Sequence, residues 1–110
     1  MRAASRKGSI PLGAKMRTER RILDYADKHC AAKFARVDVR FRGACCYIDV
    51  YTEPDQLPTH LCRIRYLGNE DRWGFAYYTY AHEKYEQSFL ITGDTQGTPE
   101  EAFETSTLFM

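Results

Sequence analysis

Residues 35–51 read ARVDVRFRGACCYIDVY, and their alternation decides the fold. Ala35, Val37, Val39 and Phe41 alternate with Arg36, Asp38, Arg40 and Arg42. Successive side chains of a strand point to opposite faces, so a period of two marks a half-buried strand. Gly43 is the turn signal, and a second strand follows over about 45–52. It sets Cys46, Ile48 and Val50 on one face and Cys45, Tyr47, Asp49 and Tyr51 on the other. So short a link predicts an antiparallel hairpin.

Upstream the period changes. Ile22, Leu23, Ala26, Cys30 and Phe34 recur at spacings of mostly three to four, with charged residues between them. That is an amphipathic helix with one apolar stripe. Thr18 is its expected N-cap, with Glu19 suited to the positive end of the helix dipole.

Downstream, EPDQLPT at 53–59 holds two prolines and reads as a loop. A third strand is expected over about 60–67, and GNED at 68–71 is a turn. A fourth, strongly aromatic strand covers about 72–80, and a fifth about 85–92 with Phe89 and Ile91 on one side. Trp73 is expected to be largely buried or to lie at an interface. GDTQG at 93–97 is a loop. Thr98, Pro99, Glu100 and Glu101 then satisfy the rules for a helix start, with Glu101 at the capping-box position. Ala102, Phe103 and Ser106 face inward from that helix. The expected architecture is α+β: an N-terminal helix, an antiparallel meander of about five strands and a short C-terminal helix, with both helices on one sheet face.

Charge is unevenly spread. Residues 1–23 hold seven Lys or Arg and one acid, a charge of +6, while the rest of the chain carries −5. The stretch MRAASRKGSIPLGAK lacks periodicity and holds Gly, Pro and Ser. We expect a disordered basic leader over 1–15 and a single α+β domain over 16–110, translation from Met16 being one explanation. A nucleic-acid arm and a transit peptide are the other readings of the same charge.

Composition excludes several classes. With 44% hydrophobic and 28% charged residues the chain is not intrinsically disordered. No run reaches the roughly 18 apolar residues of a membrane span. No apolar core of a secretory signal is present, so a cytoplasmic location and free thiols at Cys30, Cys45, Cys46 and Cys62 are expected. Phosphate-loop, dinucleotide, zinc-protease and nucleophile-elbow motifs are absent, as is C-x-x-C.

The candidate binding residues are Arg36, Arg40, Arg42, Tyr47, Tyr51, Arg63 and Arg65, on the sheet face that the helices leave uncovered. Guanidinium forks suit phosphates, and aromatic faces suit stacked bases. Either Tyr78 with Tyr80 or Tyr77 joins them, depending on register. The plain alternative is a solvated face with Arg opposite Asp in cross-strand ion pairs. Weaker patterns are His60 and Cys62, two apart on one strand face, for a metal, and Asp38, Asp49 and Glu53 for a metal-dependent nuclease. A Cys62–His82 nucleophile pair lacks an orienting third group. These patterns assign no catalytic residue, metal ligand or cofactor.

Three blocks, FARVDVRFRGACCYIDVYTEP, LCRIRYLGNEDRWGFAYYTYAHEKYE and GTPEEAFE, resemble in the same order a family of small, uncharacterised bacterial proteins. The likeness covers about residues 20–110. It implies a bacterial, cytoplasmic α+β domain and no activity, cofactor or catalytic residue. The expected function is a non-enzymatic interaction module for a protein partner or a second copy of itself, drawing on the apolar tail Leu108, Phe109 and Met110. Nucleic-acid binding by the Arg/Tyr face is the alternative, and a metal-dependent nuclease the third.

Overall fold

The computed structural model describes residues 10–110. Its first element, α1, spans Leu12–Cys30 and follows Pro11 directly. The ring of Pro11 holds φ at −59°, a value suited to entering a helix. Ile10, Ala14, Thr18, Ile22 and Ala26 recur every four residues, and all are buried. Side chains four apart share a helix face, so this stripe seats the helix. Thr18 is therefore not the expected cap. It lies inside the helix, and its buried hydroxyl has no hydrogen-bond partner among the described residues. Part of the expected leader is ordered. Residues 1–9 lie outside the described residues, whereas Leu12–Lys15 belong to the helix. Phe34 falls beyond the end of α1 and packs against the core from there.

The sheet consists of β1 (Arg36–Arg42), β2 (Cys45–Tyr51), β3 (Thr59–Asn69), β4 (Arg72–Thr79), β5 (Lys84–Gln87) and β6 (Gln96–Gly97). The first five are antiparallel neighbours in chain order, and β6 pairs with β4 alongside β5. The fifth strand is shorter than expected. Gly93 takes φ 91°, and its N–H donates to the Leu90 carbonyl at 2.9 Å, so the chain turns where a strand over 85–92 would continue. That turn buries Leu90 and leaves Phe89 and Ile91 exposed.

The second helix, α2, spans Pro99–Leu108. The Thr98 hydroxyl accepts from the Glu101 N–H at 3.1 Å, and the Glu101 carboxylate accepts from the Thr98 N–H at 2.9 Å. This is the expected capping box. The two helices contact each other, with α1 also against β1 and α2 against β3 and β4. Between them and the sheet lie Ile48, Ile64, Trp73, Phe75 and, from α2 itself, Phe103, each at most 1% exposed.

Cys46 and Cys62 belong to the same buried face, and burial pushes both thiols up, Cys62 to about 12. They pack as small apolar groups and stay protonated. Cys45 falls on the opposite face, as alternation requires.

Two arginines of the basic head, Arg17 and Arg21, are held in ion pairs. Arg17 forks onto Glu70 with N–O distances of 2.9 and 2.7 Å. Arg21 forks onto Glu100 at 2.8 Å in both bonds and reaches Asp71 at 2.9 Å. The hydrogen bond from Arg17, with its charge, holds the Glu70 carboxyl below the usual carboxylate range. These forks tie α1 to the β3–β4 turn and to the start of α2.

Candidate functional site

Cross-strand partners share a sheet face. On β1 and β2, Arg36 stands opposite Tyr51, Arg40 opposite Tyr47, and Arg42 opposite Cys45. On β2 and β3, Tyr47 stands opposite Arg63, and Cys45 opposite Arg65. All seven candidate residues therefore share the face turned away from the helices. Arginine meets tyrosine across the strands, while Asp38 meets Asp49. Of the cross-strand Arg–Asp ion pairs that a solvated face would carry, one forms on the diagonal, between Arg40 and Asp49 at 3.0 Å. Among the described residues, Arg36, Arg42, Arg63 and Arg65 make no ion pair.

Three of the guanidinium groups lie over tyrosine rings. Arg36 is 4.2 Å from the Tyr51 centroid, Arg40 5.5 Å from Tyr47, and Arg63 5.4 Å from Tyr85. Such stacking keeps the charge available while fixing the side chain. The register also resolves the tyrosines of β4. Tyr77 faces Cys62 and packs on Phe109 on the helix side. Tyr78 joins the open face opposite Tyr85. Tyr47, Tyr85, Tyr78 and Tyr80 then contact one another in series, edge to face, at centroid distances of 4.7–5.4 Å. Burial, with the Asp49 charge beside it, raises the Tyr85 pKa, so this phenol stays neutral.

Beneath the tyrosines lies a buried carboxylate. The Asp49 side chain is 4% exposed, and its two oxygens bond Arg40 and His60 Nδ1, each at 3.0 Å. A carboxylate only accepts, so Nδ1 carries the proton and Nε2 is left free. The His60 N–H donates to the Tyr80 hydroxyl at 2.8 Å. A bulge creates this arrangement. Ile48 pairs with Cys62 and Asp49 with His60, leaving Leu61 as an extra residue on β3. Such a residue re-aims the side chains on either side of it. His60 and Cys62 consequently point to opposite faces, so the weak His60/Cys62 pattern brings no pair of metal ligands together.

The nuclease pattern also fails to assemble. Arg40 and His60 occupy both oxygens of Asp49, and Glu53 lies in the exposed loop after β2. No cluster of three or more potential metal ligands exists among the described residues. Cys62 is in the core, whereas His82 sits in an exposed turn bonded to Glu86 at 2.7 Å. Those two form no nucleophile pair.

Among the cavities that adjoin the face, two are lined by β3 and β4. One, of about 220 Å³, opens between Arg63, Arg65 and the β5 side of the sheet. The other, of about 440 Å³, lies where β3 and β4 part, between His60, Tyr80 and the C-terminal Phe109 and Met110. No family profile matches the chain, and no curated protein or solved structure matches it either.

Proposed function

We propose that the domain is a non-enzymatic binding module that holds single-stranded nucleic acid, RNA foremost, on its open Arg/Tyr sheet face. The carrying observation is the register: arginine opposite tyrosine, with four of the five arginines free of carboxylates. Phosphates suit the guanidinium forks, and unstacked bases suit the tyrosine rings. A duplex hides its base faces, whereas a single strand lays them on a sheet. Asp49 does little to lower the local potential, because Arg40 is bonded to it. The cytoplasmic setting that the block resemblance implies puts single-stranded RNA within reach.

The test is fluorescence anisotropy with labelled single-stranded RNA in a salt series, on the full chain. Arg63→Ala combined with Arg65→Ala is expected to weaken binding about tenfold or more and to lower the salt slope by about 1–1.5. The basic head is common to both proteins, so the difference reports the sheet alone. A folded double variant that binds as tightly as wild type overturns the reading, as does wild type that ignores RNA at low salt.

A second reading, contact with another copy of the chain, has its own observation. Ile91, tied to α2 by its N–H to the Thr105 hydroxyl, is 50% exposed, and Leu108, Phe109 and Met110 are 63%, 52% and 54% exposed. So apolar a surface at one end of a domain suits self-association. Light scattering is expected to give a dimer that Leu108→Ser with Phe109→Ser dissolves. A monomer at high concentration removes this reading.

A further inference from the structure

We propose that the cavity beside Arg63 and Arg65 is a seat for a single nucleoside phosphate, an inference that rests on the binding reading above. Two adjacent cross-strand rows repeat one pattern. Arg65 faces Gly74, which faces Gln96, and Arg63 faces Ala76, which faces Gln87. Each row runs from a guanidinium across a small residue to a carboxamide. The small residues make a flat floor, and the long ones make two walls.

Gly74 is the telling residue. Glycine inside a strand costs about 0.5–1 kcal/mol relative to alanine, so its presence has a reason. The backbone supplies none, because Gly74 is not among the positive-φ glycines. Packing supplies none either. A Cβ at Gly74 would meet only the Arg65 Cβ, at 3.8 Å, an ordinary contact. An interior strand glycine often marks a bulge, a bend or a site where a ligand approaches the backbone closely. Here the approach is from the open face, over a cavity of about 220 Å³.

The wall chemistry names the occupant. Arg65 is exposed and forms no ion pair among the described residues, and Arg63 is held over Tyr85, so both present guanidinium forks to a phosphate. The Gln96 carbonyl already accepts from Arg72 at 2.7 Å, which leaves its NH₂ to donate. Gln87 is exposed, with a donor and an acceptor to offer. A base lying on Gly74 and Ala76 has its edge within range of these amides and its phosphate at the arginines. The ligand is a free mononucleotide or one residue of a bound strand.

The experiment uses the full chain, uridine 5′-monophosphate by calorimetry and a labelled uridine decamer by anisotropy. Gly74→Val fills the floor with a good strand former, so its melting temperature is expected to match or exceed wild type. Its affinity is expected to fall about tenfold or more for whichever probe wild type binds. Binding of both probes assigns the seat to any nucleoside phosphate, and binding of the decamer alone assigns it to a strand. Monophosphate binding that Gly74→Val abolishes, with no decamer binding, keeps the seat and ends the strand reading. A folded Gly74→Val that binds like wild type overturns the seat, while loss in the Arg63/Arg65 double variant would still uphold the face. Should Gly74→Val not fold, Gln87→Ala at the exposed edge takes its place, and unchanged binding there likewise overturns the seat. Wild type that binds neither probe overturns both.

Discussion

Trp73→Ala is expected to remove about 3–5 kcal/mol of folding stability, the cost of a cavity where a fully buried indole stood. Trp73 is 1% exposed, at the junction of several parts of the fold. Its ring contacts Tyr66 at a centroid distance of 5.2 Å, and its backbone pairs with Gly97 of β6. Its Nε1–H donates to the Glu70 carbonyl at 2.9 Å. Glu70 in turn anchors α1, through the fork from Arg17 and a bond of 3.1 Å from Arg21 to the same carbonyl. Truncation therefore opens a cavity and loosens the turn that holds the first helix. A domain of this size holds only about 5–15 kcal/mol in total, so much of its stability would go. Trp73→Phe keeps most of the packing and loses the hydrogen bond, for about 1–2 kcal/mol. Urea unfolding checks both, through the midpoint at constant slope. A loss under about 1 kcal/mol for Trp73→Ala would mean that the ring is not packed as described.

Elements with a strong period were legible. Val37, Val39 and Phe41 against Arg36, Arg40 and Arg42 could be only a half-covered strand, and Thr98 to Glu101 could be little but a helix start. The start of α1 was not. Gly8, Ser9, Pro11 and Gly13 look like loop residues by type, whereas Ala14, Thr18, Ile22 and Ala26 form the stripe by position. Small residues and a threonine score weakly as apolar, so the stripe was dimmed just where it began. Spacing by four was the signal available. The fifth strand failed for the opposite reason. Phe89 and Ile91 look like core residues, yet the left-handed Gly93 turns the chain and exposes them.

The binding face divides along the same line. Its arginines and the tyrosines of β2 follow from alternation, which needs no partner. The choice between Tyr77 and Tyr78 needs the pairing of β4 with β3, which only the folded chain supplies. His60 escaped because a bulge shifts the phase of β3 at Leu61, so counting by twos put His60 with Cys62. Gln96 lies on a two-residue strand that a loop reading of GDTQG hides, and the side of Gln87 follows only from the pairing of β5 with β4. Gly74 was in plain view, inside a run otherwise aromatic, and an interior strand glycine was the signal available.

Arg40→Met is expected to cost about 2–4 kcal/mol, and adding Asp49→Leu is expected to restore most of that loss. The asymmetry comes from burial. The Asp49 side chain is 4% exposed and that of Arg40 51%. Removing Arg40 leaves a buried carboxylate with His60 as its one remaining side-chain partner, and an under-paired buried charge is costly. Removing Asp49 instead leaves a half-exposed guanidinium, which water can solvate, so Asp49→Leu alone is expected to cost about 1 kcal/mol or less. With both gone, neither penalty arises, and apolar side chains fill the space. Chemical unfolding of the four proteins gives the coupling directly. A double variant as unstable as Arg40→Met would show that the carboxylate packs by shape and not by charge. The expected result carries a functional corollary. If apolar residues serve the fold as well as the ion pair does, the pair is not held for stability. Its remaining effect is to fix the His60 ring through Nδ1, with Nε2 free beside the Arg/Tyr face. RNA binding by Asp49→Leu alone, which keeps Arg40 on the face, then separates the two roles: near-native stability with weakened binding places Asp49 and His60 in the recognition surface.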